Sequence, residues 1–99
     1  MTQPIYKIWF MNYKEPWYKL TQEEQDKLMA ANVESLKQVG AESLIMCVSG
    51  TFNEKWLGWG VEKYPDLDAV QKHTLSLFNI NWFEYIDSRT CLGTEMPQA

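Results

Sequence analysis

Ile5-Tyr6-Lys7-Ile8-Trp9-Phe10-Met11-Asn12-Tyr13 is the stretch on which the fold turns. Successive residues of a strand point to opposite sides, so Tyr6, Ile8 and Phe10 share one face and Trp9, Met11 and Tyr13 share the other. Both faces are apolar. Such a strand needs cover on both sides, and the sheet that contains it needs an apolar layer above and below.

Working outward, Lys14 to Leu20 is a connector containing Glu15-Pro16-Trp17. Thr21 followed by Glu24 has the spacing of a capping box, in which each side chain satisfies a backbone donor at a helix start. A helix is predicted from Gln22 to Val39, with Leu28, Met29, Asn32, Leu36 and Val39 facing inward and Gly40 as its left-handed stop. Ser43 to Thr51 reads as a second strand around Leu44-Ile45-Met46-Cys47-Val48, again apolar on both faces. Phe52-Asn53-Glu54 turns the chain into a third strand, Lys55 to Lys63. There Trp56, Gly58, Gly60 and Glu62 alternate with Leu57, Trp59 and Val61, which places Trp56 and Trp59 on opposite faces. Glycines inside a strand mark a bulge or the close approach of another group.

Tyr64-Pro65 ends that strand, and Asp66 caps a second helix with Leu67, Val70, Thr74, Leu77 and Phe78 inward. Asn79-Ile80-Asn81 is a turn. Trp82 to Leu92 is a fourth strand with room for a short helical turn at its start, and the segment from about residue 94 to 99 is a loose tail. The order βαββαβ predicts one α+β domain over residues 1–99, a ferredoxin-like four-stranded antiparallel sheet with both helices on one face. The other face is expected to carry Trp9 and Met11, with Lys7 near its edge. That surface is too greasy for water, and a second copy related by a two-fold axis is the economical cover.

Composition narrows the partners. In 99 residues there are five Trp and five Tyr, a net charge of −4, and nine Lys and Arg dispersed singly. Without a basic stripe to displace counterions from phosphates, nucleic acid is excluded as a partner, and so is an anionic membrane surface. No apolar run reaches the length of a membrane span, and no signal peptide is read at the N-terminus. Cys47 and Cys91 are expected to be reduced, buried small hydrophobes in a cytoplasmic protein.

The pattern resembles the dimeric α+β barrel superfamily, a ferredoxin-like group that includes antibiotic-biosynthesis-type monooxygenases, muconolactone-isomerase-like proteins and haem-degrading enzymes. Within it the chain is similar to an uncharacterised bacterial family. The likeness is carried by Trp9-Phe10-Met11-Asn12-Tyr13-Lys14, by Val61-Glu62 with Tyr64-Pro65-Asp66-Leu67-Asp68-Ala69-Val70-Gln71-Lys72-His73, by Asn81-Trp82-Phe83 and by Leu92-Gly93-Thr94. It implies a homodimer with a ligand cavity between the sheet and the helices of each subunit, and brings no assigned reaction.

No phosphate loop, Cys-x-x-Cys, zincin or nucleophile-elbow pattern is present, and one His with two separated Cys does not make a structural zinc site. His73 is the one side chain whose ordinary pKa lies near neutrality. It is placed on the solvent border of the second helix, as a hydrogen-bonded boundary residue or, at a cavity mouth, as an acid/base or haem ligand. Asn12 sits on the Tyr6-Ile8-Phe10 face, either bonding loop backbone at the strand end or donating to a ligand. Some superfamily monooxygenases use an Asn, a Trp and a His together, and Asn12, Trp59 and His73 supply those residue types. Trp56, Trp59 and Trp82 read as core, interface or pocket wall for a flat ligand. Tyr85 and Arg89, with Glu62, read as a solvated rim or as pocket charge.

Two functions follow. One is a dimer that binds a small aromatic or hydrophobic molecule, with no metal or tightly held cofactor, and acts on it as a cofactor-independent monooxygenase or isomerase. The other is a non-enzymatic accessory module whose aromatics only build the dimer. A haem-binding protein, with haem held through His73, is a further alternative.

Overall fold

The computed structural model describes residues 3–52 and 55–97. Met1-Thr2, the Asn53-Glu54 part of the expected turn and the Gln98-Ala99 end of the tail lie outside them. Strand β1 (Ile5–Tyr13) is followed by a one-turn helix α1 (Glu15–Tyr18), helix α2 (Gln22–Gln38), strands β2 (Glu42–Val48) and β3 (Gly58–Tyr64), helix α3 (Leu67–Asn79), the one-turn α4 (Trp82–Tyr85) and strand β4 (Ile86–Gly93). All strand pairs are antiparallel, in the order β2-β3-β1-β4. This is the ferredoxin-like arrangement.

Local chemistry sets the helix ends. Glu24 N–H donates to Thr21 Oγ1 at 3.1 Å and Thr21 N–H donates to Glu24 Oε1 at 2.9 Å, so the capping box is complete. Asp66 accepts from Ala69 N–H at 2.8 Å. Gly40, at φ +76°, takes the left-handed conformation that a side chain would resist. The connector after β1 is not a plain loop. Pro16 at the first turn fits a helix start, and α1 stacks Trp17 on Tyr13 with ring centroids 4.4 Å apart.

The helices cover the odd-numbered face of β1, not the even one. Ile5, Lys7, Trp9, Met11 and Tyr13 lie on the side of Tyr64, Glu62, Gly60 and Gly58 of β3, in the register Ile5↔Tyr64, Lys7↔Glu62, Trp9↔Gly60, Met11↔Gly58. At one end of this face Leu36 of α2 and Ala69 and Val70 of α3 pack on Tyr64 and Ile5. The expectation that Trp9 and Met11 face a partner, with Lys7 at its edge, is therefore corrected. β1 is apolar on both sides, so its own pattern does not say which side the helices take. The helices settle it from outside the strand: Leu36, Ala69 and Val70 pack on Tyr64, whose partner across the strands is Ile5.

Three smaller expectations also shift. β3 begins at Gly58, and Trp56 precedes it, packing on Phe10 at 5.9 Å on the same side as Trp59. On α3 the inward residues are Ala69, Val70, His73 and Leu77, while Leu67 and Phe78 are largely exposed. The stripe is rotated because Tyr64 meets Ala69 and Val70, and the imidazole finds a buried partner. Cys47 is half-buried and Cys91 exposed; both are free. Their strands lie at the sheet's edges, on its uncovered side.

One sheet and one helix layer make a slab of 49 × 31 × 16 Å. Its radius of gyration of 14.4 Å exceeds the about 13 Å of a compact chain this long. Its surface of 7120 Å² exceeds by about 1,300 Å² the area expected of a compact 11.6 kDa monomer.

Candidate functional site

Along the helix-bearing face the environment grades from dry core, through a buried charged cluster, to an open groove. The cluster begins with Lys7 Nζ, 3.4 Å from Glu62 Oε1, both side chains under a tenth exposed. Tyr64 Oη donates to the same oxygen at 2.7 Å, and Lys7 Nζ also lies 5.3 Å from the Tyr64 ring centre. Burial, then the Glu62 charge and hydrogen bond, push the Tyr64 phenol far above its ordinary range, so it remains a donor. Above them His73, 1% exposed, shares a 2.8 Å hydrogen bond between its Nδ1 and Ser35 Oγ of α2. Burial, and secondarily the Lys7 charge, lower its pKa from 6.5 to about 4, so the ring is neutral at neutral pH. His73 is thus not on a solvent border.

Past Lys7 and Glu62 the next pair on this face is Trp9 and Gly60. A Cβ on Gly60 would stand 2.5 Å from Trp9 Cζ2 and 2.7 Å from the Ile45 carbonyl oxygen, so the indole lies where a side chain would have been. Beyond it is an open groove of about 390 Å³. Trp9, Met11 and Tyr13 of β1, Met46 and Val48 of β2, and Gly58 line it, and no helix residue does. Burial, with the nearby Tyr18, raises the Tyr13 phenol above its ordinary value, so this wall is uncharged. Met46 and Val48 are 71% and 77% exposed. Its volume lies in the range of small-molecule pockets, in a concavity that stays open to solvent.

The residues singled out from the sequence do not converge. Asn12, on the even face, donates from Nδ2 to the Lys55 carbonyl at 2.6 Å and accepts from Leu57 N–H at 2.8 Å, tying the segment before β3 to β1. Trp59 pairs with Phe10 on that same even face. His73 lies on the opposite side of the sheet, so the Asn–Trp–His trio has no common space. Arg89, exposed, is paired in register with Phe10, and Trp56 packs on Phe10. Trp82 and Tyr85 occupy α4, half-buried, with the Tyr85 carbonyl accepting from Lys14 N–H.

His73 is sealed between the helices and the sheet, 1% exposed, with its Nδ1 engaged by Ser35. Among the described residues no three His, Cys, Asp or Glu side chains gather as a metal site would require. Sequence reasoning set Trp9 and Lys7 on a partner-facing side and read Glu62 as rim or pocket charge, and it missed that Lys7, Glu62 and Tyr64 converge beneath the helices. The signal was present in the strands: a lysine opposite a glutamate and a tryptophan opposite a glycine, once β1 and β3 are set antiparallel.

The even face has a different character. Ile8, Phe10, Val61, Trp59 and Ile45 form its centre, Ile45 half-exposed, and Lys63, Glu42, Asp87 and Arg89 fringe it. An apolar centre with a charged rim is the anatomy of a protein interface. Among the described residues no helix is long and apolar enough to cross a membrane.

No family model matches the chain, and no curated protein does. Solved structures do. A protein described as a candidate chlorite dismutase matches over 95% of this chain at 16% identity with a TM-score of 0.73, and the chain spans 46% of that protein's length. A protein of unknown function from Rhodopseudomonas palustris matches over 99% of this chain and 86% of its own at 13% identity, TM-score 0.65. A dimeric protein of unknown function with a ferredoxin-like fold from Bacteroides fragilis matches over 93% of this chain and 96% of its own at 12% identity, TM-score 0.51. At these identities the likeness establishes the fold.

Proposed function

We propose that this ferredoxin-like chain works as a homodimer that binds a small, flat, apolar organic molecule in the groove on its helix-bearing face. The observation that carries the reading is the groove itself, about 390 Å³ of space walled by Trp9, Tyr13, Met11, Met46 and Val48 and open to solvent. Apolar side chains left exposed in a concave surface are stabilised by a ligand that covers them, by roughly 25 cal/mol per Å² removed from water.

Two copies meet through the even face in this account. A stable interface needs about 800 Å² from each partner, and the chain carries about 1,300 Å² more surface than a compact monomer. A two-fold axis along the strands sets β2 of one copy beside β4 of the other. Both exposed edges are then protected, and a closed α+β barrel results. The Bacteroides fragilis neighbour is described as dimeric, which supports a homodimer.

Binding, rather than turnover, is what the geometry supports. Lys7 and Glu62 stand behind Trp9, out of the groove, and already satisfy one another. The test is a titration of intrinsic tryptophan fluorescence with naphthalene. Saturable quenching is expected, and Met46→Glu, at a position already exposed, abolishes it by placing a charge on the groove wall. Quenching that never saturates, or that Met46→Glu leaves unchanged, refutes the reading.

A further inference from the structure

Among the described residues one buried side-chain polar atom has no hydrogen-bond partner, the indole nitrogen of Trp9. The other buried polar side chains are engaged: Ser35 with His73, Glu62 with Lys7 and Tyr64, and Ser49, whose hydroxyl donates to the Trp56 carbonyl at 2.9 Å. A buried donor left unpaired costs about 1–3 kcal/mol. In a fold that satisfies the rest of this set, the exception falls on the residue that forms the groove's inner wall.

We propose that Trp9 Nε1–H is the groove's anchoring donor and that the ligand it selects is an uncharged flat carbonyl compound, of the aryl ketone class, rather than an organic anion. This rests on the groove being the ligand site. An indole N–H donates and cannot accept, so its partner carries an acceptor oxygen. Trp9, Met11, Tyr13, Met46 and Val48 offer no positive charge. The nearest cation on this face, Lys7, is one strand step away, about 7 Å, and is neutralised by Glu62. A carboxylate entering here would lose its hydration without gaining a counter-charge, in a chain that already carries −4. A ketone oxygen needs only the one donor. Because Gly60 has no side chain, the indole packs directly on β3 at the groove's wall, and in this proposal a small rotation of the ring brings its buried N–H to the ligand.

Three probes of nearly equal shape separate the claims: 2-acetylnaphthalene, its alkene analogue 2-isopropenylnaphthalene, and 2-naphthoate. Each is titrated into wild-type protein labelled with 15N at tryptophan and 13C at methionine methyls. Met11 and Met46 methyl shifts report occupancy of the groove, and the Trp9 indole proton, assigned with Trp9→Phe, reports the hydrogen bond. The ketone is expected to move both sets of signals, shifting the indole proton downfield, while the alkene moves only the methyls. The ketone should bind at least about threefold tighter than the alkene and at least about tenfold tighter than naphthoate, and Trp9→Phe should erase its advantage over the alkene. If the methyls move but the indole proton does not, or naphthoate binds as tightly as the ketone, the proposal is overturned while the groove remains a ligand site. If no probe moves the methyls, both fail.

Discussion

Replacing Lys7 by methionine removes one member of the buried pair while keeping most of its volume. In the native chain Lys7 Nζ is 3.4 Å from Glu62 Oε1 and both side chains are under a tenth exposed. The variant leaves the Glu62 carboxylate under the helices with only the Tyr64 hydroxyl to offset its lost hydration. Stranding one charge of a buried pair costs about 3–5 kcal/mol, against a total of about 5–15 kcal/mol for a domain of this size. At about 4–8 °C per kcal/mol for a domain this small, the melting temperature should fall by about 12–40 °C. Urea unfolding followed by tryptophan fluorescence measures the loss of stability, at one fixed protein concentration because the apparent stability of a dimer depends on concentration. The double variant Lys7→Met, Glu62→Gln removes the stranded charge and keeps an acceptor for Tyr64. It should recover to within about 1 kcal/mol of wild type, since apolar or neutral replacements of whole buried pairs are commonly tolerated. A loss under about 1 kcal/mol in the single variant would show that the pair is solvated and refute its placement beneath the helices.

Stability should fall with pH because of His73. Its folded pKa lies near 4 and its unfolded value near 6.5, so below pH 6.5 the unfolded chain takes up a proton that the folded one refuses. The loss accumulates between about pH 6.5 and 4, reaching at most about 3 kcal/mol. Urea midpoints measured across that window should fall less steeply in His73→Gln, and an unchanged slope would count against a buried neutral imidazole. Gly60→Ala should destabilise by about 1–3 kcal/mol, because the new methyl group meets the Trp9 ring and the Ile45 carbonyl. A cost within error would mean that the indole does not lie there.

Much of the architecture was legible because its signals are local. The Thr21–Glu24 capping box, the Asp66 cap and Gly40 place α2 and α3 within a residue or two, and Ile5–Tyr13 marks β1 without error. What was not legible is long-range. Nothing within β1 tells its two apolar faces apart, and only the packing of α2 and α3 on Tyr64 and Ile5 does so. Charged side chains read as rim, edge or pocket charge, so Lys7 and Glu62 were named apart and their buried pairing was not seen, and a polar imidazole beside an apolar stripe read as its border. Asn12 was recognised as a residue with obligations, and both of its amide atoms turn out to hold loop backbone. The groove depends on β1, β2 and β3 lying side by side with no helix above them, which no single segment encodes.

The account as a whole requires that the even face be covered by a second copy, leaving the helix-bearing face for ligand. Sedimentation equilibrium at micromolar concentration tests this directly. The predicted mass is twice 11.6 kDa, falling to a single chain in Ile45→Lys, at a position half-exposed in the isolated chain and therefore tolerant of charge. A wild-type protein that sediments as a well-folded monomer would contradict it.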